Sequence, residues 1–266
     1  MYETSYHRAG SVADAGALMA KAEDGKFLSG GQTLIPTMKQ RLAAPSDLVD
    51  LTGIAEMTGV SDEGGAIKIG AATTHHEVAT SAVVSGGIPG LASLAAGIGD
   101  PAVRHMGTLG GSISNNDPAA DYPAALVALG ATVTTSKRSF SADEFFVGMF
   151  ETALEEDEIV TSVSFPKPAQ SAYAKYPNPA SRYAMAGVFV AKTAGGDVRV
   201  AATGAGQDGV FRVAEMETAL AGNWSAEAVA GVSVDSGALL ADIHGSAEYR
   251  ANLVTVMAKR AVAAAG

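Results

Sequence analysis

Between Gly97 and Asp121 the chain carries Gly, Ser, Asn, Asp and Pro so densely that no helical or strand pattern fits. A stretch this long without regular structure is uncommon inside a compact domain unless it serves a function. Its central run, Met106-Gly107-Thr108-Leu109-Gly110-Gly111-Ser112-Ile113-Ser114-Asn115-Asn116-Asp117-Pro118-Ala119-Ala120-Asp121, places paired glycines ahead of hydroxyl, amide and carboxylate side chains. A second glycine bend, Ser29-Gly30-Gly31-Gln32-Thr33-Leu34, joins an expected strand over Lys26 to Ser29 to an expected helix over Leu34 to Leu42. Without Cβ atoms in the way, peptide N–H groups at such a helix start can point outward, a geometry that binds anions. Neither bend contains Lys or Arg, so a diphosphate would be held mainly by backbone dipoles that are already oriented. Two such bends suit a dinucleotide. Each also has a plainer reading: a strand–helix turn without a ligand for the first, and for the second an irregular loop whose Asn and Asp cap their own turns.

The surrounding pattern is a mixture of helices and strands. Val12, Ala15, Leu18, Met19 and Ala22 recur at helical spacing and predict a first helix over Ser11 to Ala22, with Ser11 and Asp14 as a capping box. Asp47 to Leu51 reads as a strand, completing a strand–helix–strand unit. A hairpin turning at Glu63-Gly64-Gly65 follows, and Thr74 can cap a short helix that starts at His75. Leu91 to Ala96 reads as helical, and Asp121 to Leu129 as a helix with Pro123 in its opening turn and Gly130 at its end. The strands ATVTTS and EIVTSVSFP come next, with a capping box at Ser141 and Glu144 between them. The polar segment KPAQSA marks a boundary near Lys167. Beyond it FVAKT and DVRVAAT form a hairpin around Gly195-Gly196, and two or three helices close the chain. The last is expected from about Ser246 to Ala264, with Tyr249, Leu253, Val256 and Met257 packed inward. The expected domains are residues 1–167, with subdomains of about 1–52 and 53–167, and residues 172–266.

Composition excludes several classes. With 266 residues, 47% hydrophobic and 17% charged, the chain can build a core in each of two domains and is not of the disordered type. A net charge of -10 argues against a nucleic-acid or anionic-membrane surface. The absence of Cys leaves no disulfide, no thiolate nucleophile and no sulfur ligand for an iron–sulfur cluster, so redox chemistry would need an organic cofactor. No run approaches the ~20 apolar residues of a membrane span, and the opening MYETSYHRAG lacks a basic segment leading into an apolar one. A cytoplasmic protein is the expectation.

Three other motifs point away from chemistry. Gly204-Ala205-Gly206-Gln207-Asp208-Gly209 matches the G-x-G-x-x-G string, but the following Val210-Phe211-Arg212-Val213 alternates like a strand where the dinucleotide fingerprint needs a helix. It reads as a loop between two strands. His75-His76 and His105 lack Cys or carboxylate companions at ligand spacing, so they read as structural or surface histidines and no metal is expected. No G-x-S-x-G elbow supports a hydrolase. Tyr183, in the opening of the second domain, fits either a core aromatic or a ring placed over a cofactor, and the sequence alone favours the core.

Taken together, SGGQTLIPTMKQRLAAPSDLVDL and GTLGGSISNNDPAADYPAALVALGA resemble the FAD-binding medium subunits of the molybdenum hydroxylase (xanthine oxidase) family, most closely those of aerobic carbon monoxide dehydrogenases. The resemblance runs through nearly the whole chain, including PASRYAMAGVFVA and the closing GSAEYRANLVTVMAKRA. It implies an α+β fold: an N-terminal FAD-binding domain of the vanillyl-alcohol-oxidase type with two α/β subdomains, and a small C-terminal domain of antiparallel sheet with helices. The flavin would lie between them. Ser29, Gly30, Gly31, Gln32, Thr33 and Leu34 would bind the cofactor from the first bend, and Thr108, Leu109, Gly110, Gly111 and Ser112 from the second. Further contacts are implied at Ile98, Asp121 and Lys175, at Ile159 and Val160 near the isoalloxazine, and at Tyr183 over one flavin face. Ser29 stands where Ala is common in such subunits, Thr33 where Ser is common, Leu109 where Ile is common, and His105 where Asn is more usual.

The implied function is electron transfer. The chain would take electrons from a [2Fe-2S] subunit and pass them to an external acceptor, within a heterotrimer that includes a large molybdenum-cofactor subunit and is doubled into a dimer of heterotrimers. Substrate oxidation would occur on the molybdenum subunit, so this oxidoreductase subunit needs no catalytic side chain of its own. Its location would be cytoplasmic, peripheral to the inner membrane at most through its complex. Two rivals stand beside this reading: a self-sufficient flavin-dependent oxidoreductase of the same fold, with its own acid–base residues, and a flavin-free scaffold whose glycine bends are purely structural.

Overall fold

The computed structural model describes residues 1–265. Its first unit contains β1 (Ser5–Arg8), α1 (Val12–Met19), β2 (Gly25–Leu28), α2 (Leu34–Lys39) and β3 (Asp47–Asp50), the strands pairing in the order β1-β3-β2, all parallel. The strand β1 has no apolar alternation and escapes the sequence reading. Polar partners hold it instead: the Tyr6 hydroxyl donates to Asp50 Oδ2 at 2.5 Å, and His7 Nε2 meets Asp47 Oδ1 at 2.7 Å. Ser11 caps α1 by accepting the Asp14 N–H at 3.1 Å, but the Asp14 carboxylate takes the N–H of Gly10 rather than that of Ser11, so the capping box is not closed. The helix α2 ends at Lys39, short of Leu42, because Arg41 turns left-handed at φ 62°.

The second unit is built on a five-stranded antiparallel sheet. In chain order it holds β4 (Val60–Asp62), β5 (Ala66–Gly70), α3 (His75–Thr80), α4 (Ala82–Gly87), α5 (Pro89–Ala96), α6 (Pro101–Arg104), α7 (Leu109–Asn115) and α8 (Tyr122–Leu129). Then come β6 (Thr132–Thr135), β7 (Ser139–Ser141), α9 (Ala142–Phe145), the small hairpin β8 (Phe146–Gly148) and β9 (Glu151–Thr152), and β10 (Val160–Pro166). The sheet order is β4-β5-β10-β6-β7, so the last strand enters its centre. The capping box of Ser141 with Glu144 forms at α9 as the sequence indicates, and the expected cap at Thr74 is completed to a box by Glu77 at α3.

The glycine-rich stretch is not devoid of regular structure, and that expectation is corrected by α6 and α7. The run Leu109–Asn115 is a poor helix former on its own composition. It is helical because Thr108 Oγ1 accepts the Gly111 N–H at 3.1 Å, while the Leu109 and Gly110 amides donate to Thr73 O (3.1 Å) and Ala71 O (2.8 Å). Directly after it, all eight residues of α8 are buried. A helix apolar all round must be covered on every side, and α8 lies between β10 and the sheet of the third unit.

That third unit has β11 (Gln170–Pro177), β12 (Ala184–Lys192), β13 (Val198–Gly206) and β14 (Gly209–Arg212), antiparallel in sequence order. The helices α10 (Ala214–Gly222), α11 (Ala226–Ala230) and α12 (Ala247–Ala264) follow it. The G-x-G-x-x-G run is the end of β13 and the turn into β14. Gly204 is needed there at φ 80°, since a Cβ would fall 2.4 Å from Ala184 O. The inward face of α12 is Arg250, Leu253, Val254, Met257, Ala258 and Ala261, rotated from the expected stripe, with Tyr249 left 40% exposed. Arg250 is buried, and its Nη1 donates to Met185 O and Gly204 O at 2.8 Å and its Nη2 to Asp242 Oδ2 at 2.7 Å. Among the described residues no helix is long and apolar enough to cross a membrane.

Glu158, just before β10, gives the fold an acid-sensitive point. Burial pushes its carboxyl up, but hydrogen bonds from Arg138, Thr135 and the Glu155 amide outweigh this and hold it down to about 2. Because the folded value lies below the unfolded value of 4.5, the carboxylate stabilises the fold above that pH, and the contribution is lost as pH falls toward about 2. Glu158→Gln should lower stability at pH 7 by about 2 kcal/mol and flatten the acid limb of a melting-temperature profile; an unchanged acid limb would refute the assignment.

Candidate functional site

The two glycine bends touch. A Cβ on Gly30 would fall 2.1 Å from Met106 O and 2.6 Å from the Gly107 Cα, so backbone rests on backbone and no side chain fits. Next to this contact Ser29 Oγ and Thr108 Oγ1 lie 2.8 Å apart, joining segments 79 residues distant in sequence. Gly31 completes the first bend at φ 69°, a conformation that L side chains rarely adopt.

The bends differ in what they offer a ligand. Among the described residues, the amides of Gly30, Gly31, Gln32 and Thr33 donate to no protein acceptor. The amides of Leu109 to Ser112 are all engaged, by Thr73 O, Ala71 O, Thr108 Oγ1 and Thr108 O in turn. The expectation that both bends present free amide dipoles is therefore corrected for the second. Its amides are consumed in starting α7 and fastening it to residues 71–73, and it contributes space and hydroxyl groups instead.

A cavity of about 640 Å³ opens where the bends meet. Ser29, Gly30, Gln32, Thr33 and Leu34 line it from the first bend, and Thr108, Gly110, Gly111 and Ser112 from the second. Ile98, Asp121, Ile159, Val160 and Tyr183 line it as well. Gly31, Leu109 and Lys175 do not: Gly31 shapes the turn, Leu109 is fully buried, and Lys175 stands behind Asp121. Tyr183 is 48% exposed at the cavity, which corrects its reading as a core aromatic. His105 is exposed and stacks on His76 with ring centroids 3.9 Å apart. Sequence reasoning missed His75, Phe150, Glu158 and Arg182, which also line the cavity. For Phe150 and Arg182 the chain itself carries no signal, since their left-handed backbone (φ 56° and 64°) is a property of the fold.

Asp121 is the buried charge of the site. Tyr173 Oη donates to its Oδ1 at 2.5 Å, and Lys175 Nζ lies 3.0 Å from Oδ1 and 3.1 Å from Oδ2 while also donating to Gly97 O at 2.8 Å. Tyr173 and Lys175 are two apart on β11 and so project to one side of it. Burial pushes the Asp121 carboxyl above the usual carboxylate range, against the pull of Lys175 and Tyr173. Burial and the neighbouring carboxylate push the Tyr173 phenol well up, so it serves as a fixed donor.

These features fit FAD. Unpaired amides suit a diphosphate, the glycine contact leaves a narrow cradle that a Cβ would fill, and the volume is in the range of cofactor pockets, roughly 300–1,000 Å³. Comparison with known proteins agrees. Residues 2–168 match the family described as the FAD binding domain in molybdopterin dehydrogenase. The chain is 35% identical to the nicotine 6-hydroxylase medium subunit of Paenarthrobacter nicotinovorans, over 98% of this chain and 96% of that one. It is 36% identical to the carbon monoxide dehydrogenase medium chain of Afipia carboxidovorans, over 97% and 94% of the two chains. Its fold is similar to that of a chain in reconstituted CO dehydrogenase from Oligotropha carboxidovorans, with a TM-score of 0.91 at 34% identity, covering 100% of this chain and 99% of the other.

Gly30→Ala should force the bends apart, weakening FAD binding by about tenfold or more and lowering stability by about 1–3 kcal/mol. Gly16→Ala, inside α1 where a Cβ meets nothing within 4 Å, is the control: it should leave FAD binding unchanged and raise stability by about 0.4–1 kcal/mol. Flavin content and melting temperature of the purified variants check this; full flavin retention by Gly30→Ala would show that the contact does not shape the site.

Proposed function

Because this chain belongs to the family of FAD-binding domains of molybdopterin dehydrogenases, we propose that it is the flavin-bearing, electron-transferring medium subunit of a molybdenum hydroxylase complex. The observation that carries this reading is the cavity at the meeting of the two bends, with its run of unpaired amides. In this reading the first bend binds the diphosphate through the Gly30 to Thr33 amides, and Ser29, Thr108 and Ser112 add hydroxyl groups. Ile98, Gly110, Gly111, Ile159 and Val160 shape the walls, Tyr183 covers the ring, and Asp121 accepts from the cofactor while Lys175 holds it in place. We divide the chain into residues 1–167 and 172–266; the buried cluster from Ala172 to Ala265 supports a second core, while Phe189, Ala191 and Ala201 pack into the first.

When bound, the flavin supplies conversion between single-electron and two-electron transfer. The partners proposed are a large molybdenum-cofactor subunit and a small [2Fe-2S] subunit, assembled as a dimer of heterotrimers in the cytoplasm, with any membrane association made through the complex. This reading is favoured over a self-sufficient oxidoreductase by the near-complete match to proteins named as medium subunits. Those names concern nicotine in one case and carbon monoxide in the other, at almost equal identity. Substrate choice is therefore assigned to the molybdenum subunit.

Purification of the native assembly tests the proposal. The chain should co-purify with both partners, and its flavin should be reduced by substrate only in their presence. A chain that stays alone beside its partners, or oxidises a small substrate without them, would refute it.

A further inference from the structure

His75 is the only buried histidine among the described residues, 5% exposed, and its ring lines the cavity. It is fastened to the second bend twice. Its backbone N–H donates to Gly107 O at 2.9 Å, and a Cβ on Gly107 would fall 2.6 Å from His75 Nε2, so the Nε2 edge of the ring packs on that glycine. Gly107 is also the residue whose Cα meets Gly30. The imidazole therefore stands beside the contact between the bends.

The two ring nitrogens differ. Nδ1 is sealed in the interior without a partner, whereas Nε2, also without a protein partner, is not sealed. A neutral imidazole has one N–H and one lone pair, and an orphaned buried N–H is rarer in proteins than an under-used acceptor. The proton accordingly belongs on Nε2. Burial and the Arg104 guanidinium pull the group down to about 4, which keeps the ring neutral near pH 7. Arg104 itself is occupied, donating to Ile98 O and Gly99 O at 2.9 and 3.1 Å. Among the described residues nothing in the protein accepts the Nε2 proton.

We propose that His75 is a cofactor-binding residue, its Nε2–H donating to a diphosphate oxygen of FAD beside the junction of the two bends. The assignment rests on reading the cavity as the FAD site. It adds a side-chain donor to the backbone donors of the first bend, from the side where the second bend has no free amide between Leu109 and Ser112.

The test uses the assembled complex, stripped of flavin and titrated with two probes, FAD and ADP. His75→Phe should weaken both by about tenfold, the worth of one buried hydrogen bond, whereas His75→Gln, which keeps an N–H donor, should stay within about threefold of the unsubstituted complex. The melting temperature of the stripped complex is followed alongside. Should His75→Phe fail to assemble, His75→Met, a flexible apolar filler, carries the same comparison. Unchanged affinity in the apolar variant overturns the proposal, and so does a loss confined to FAD with ADP untouched, because the contact would then not be to the diphosphate. An unsubstituted stripped complex that takes up neither probe overturns the flavin reading itself.

Discussion

The α-carbon of Gly30 rests against the Met106 carbonyl and the Gly107 α-carbon, and the rest of the site takes its position from that contact. Holding two segments 79 residues apart in backbone contact opposes loop-closure entropy. The compensation comes from burial elsewhere, above all from α8 and the sheets that cover it. Once the bends are fixed, the amides of the first have no protein partner and are oriented before any ligand arrives. Amides so placed can attract an anion even in a chain of net charge -10, because charges on the far surface are screened within about 8–10 Å at physiological salt, while the amide dipoles act at contact distance.

The second bend owes its placement to the C-terminal sheet as well as to its own domain. Thr203 Oγ1 donates to Ala120 O at 2.6 Å and the Gly204 amide to Pro118 O at 2.8 Å, tying β13 to the segment that leads into Asp121. From the neighbouring edge, Tyr173 and Lys175 fix the Asp121 carboxylate. This arrangement also explains a glycine that no motif marks. Gly187 faces Lys175 across the β11–β12 pair, and a Cβ there would fall 2.1 Å from the Tyr173 hydroxyl oxygen. The cavity is thus made by both halves of the chain, and disturbing the C-terminal sheet would disturb the cavity without touching either bend.

What could be read from sequence followed from interactions that are local along the chain. The cap at Thr74, the capping box at Ser141, the left-handed Gly130 that ends α8 and the hairpin at Gly196 depend only on neighbours a few residues away. The bends were visible because glycine pairs betray close backbone approach. What stayed hidden depends on distant partners. The β1 strand is polar and is selected by Asp47 and Asp50; α7 is a glycine–serine helix held by Ala71 and Thr73; Arg250 is a charged residue satisfied by two carbonyls and a carboxylate. The same reason hid the difference between the bends. Nothing in Leu109-Gly110-Gly111-Ser112 reveals that its amides are spent on residues 71–73 and on Thr108.

The titratable groups around the cavity suit a holding role rather than proton transfer. A general acid or base works best with a pKa near the operating pH. Among the groups here, His75, which lines the cavity, is pulled down to about 4 by burial and Arg104, and behind the Asp121 carboxyl, itself pushed up by burial, the Tyr173 phenol is pushed well up. Tyr173 is further committed to Asp121, which is itself paired with Lys175. A self-sufficient oxidoreductase would need at least one group free to exchange a proton with its substrate, whereas a relay between partner subunits needs only a fixed pocket that does not change charge as electrons pass. The buried Asp121 network, with Tyr173 and Lys175 closed on the carboxyl group, has the build of such a fixed pocket.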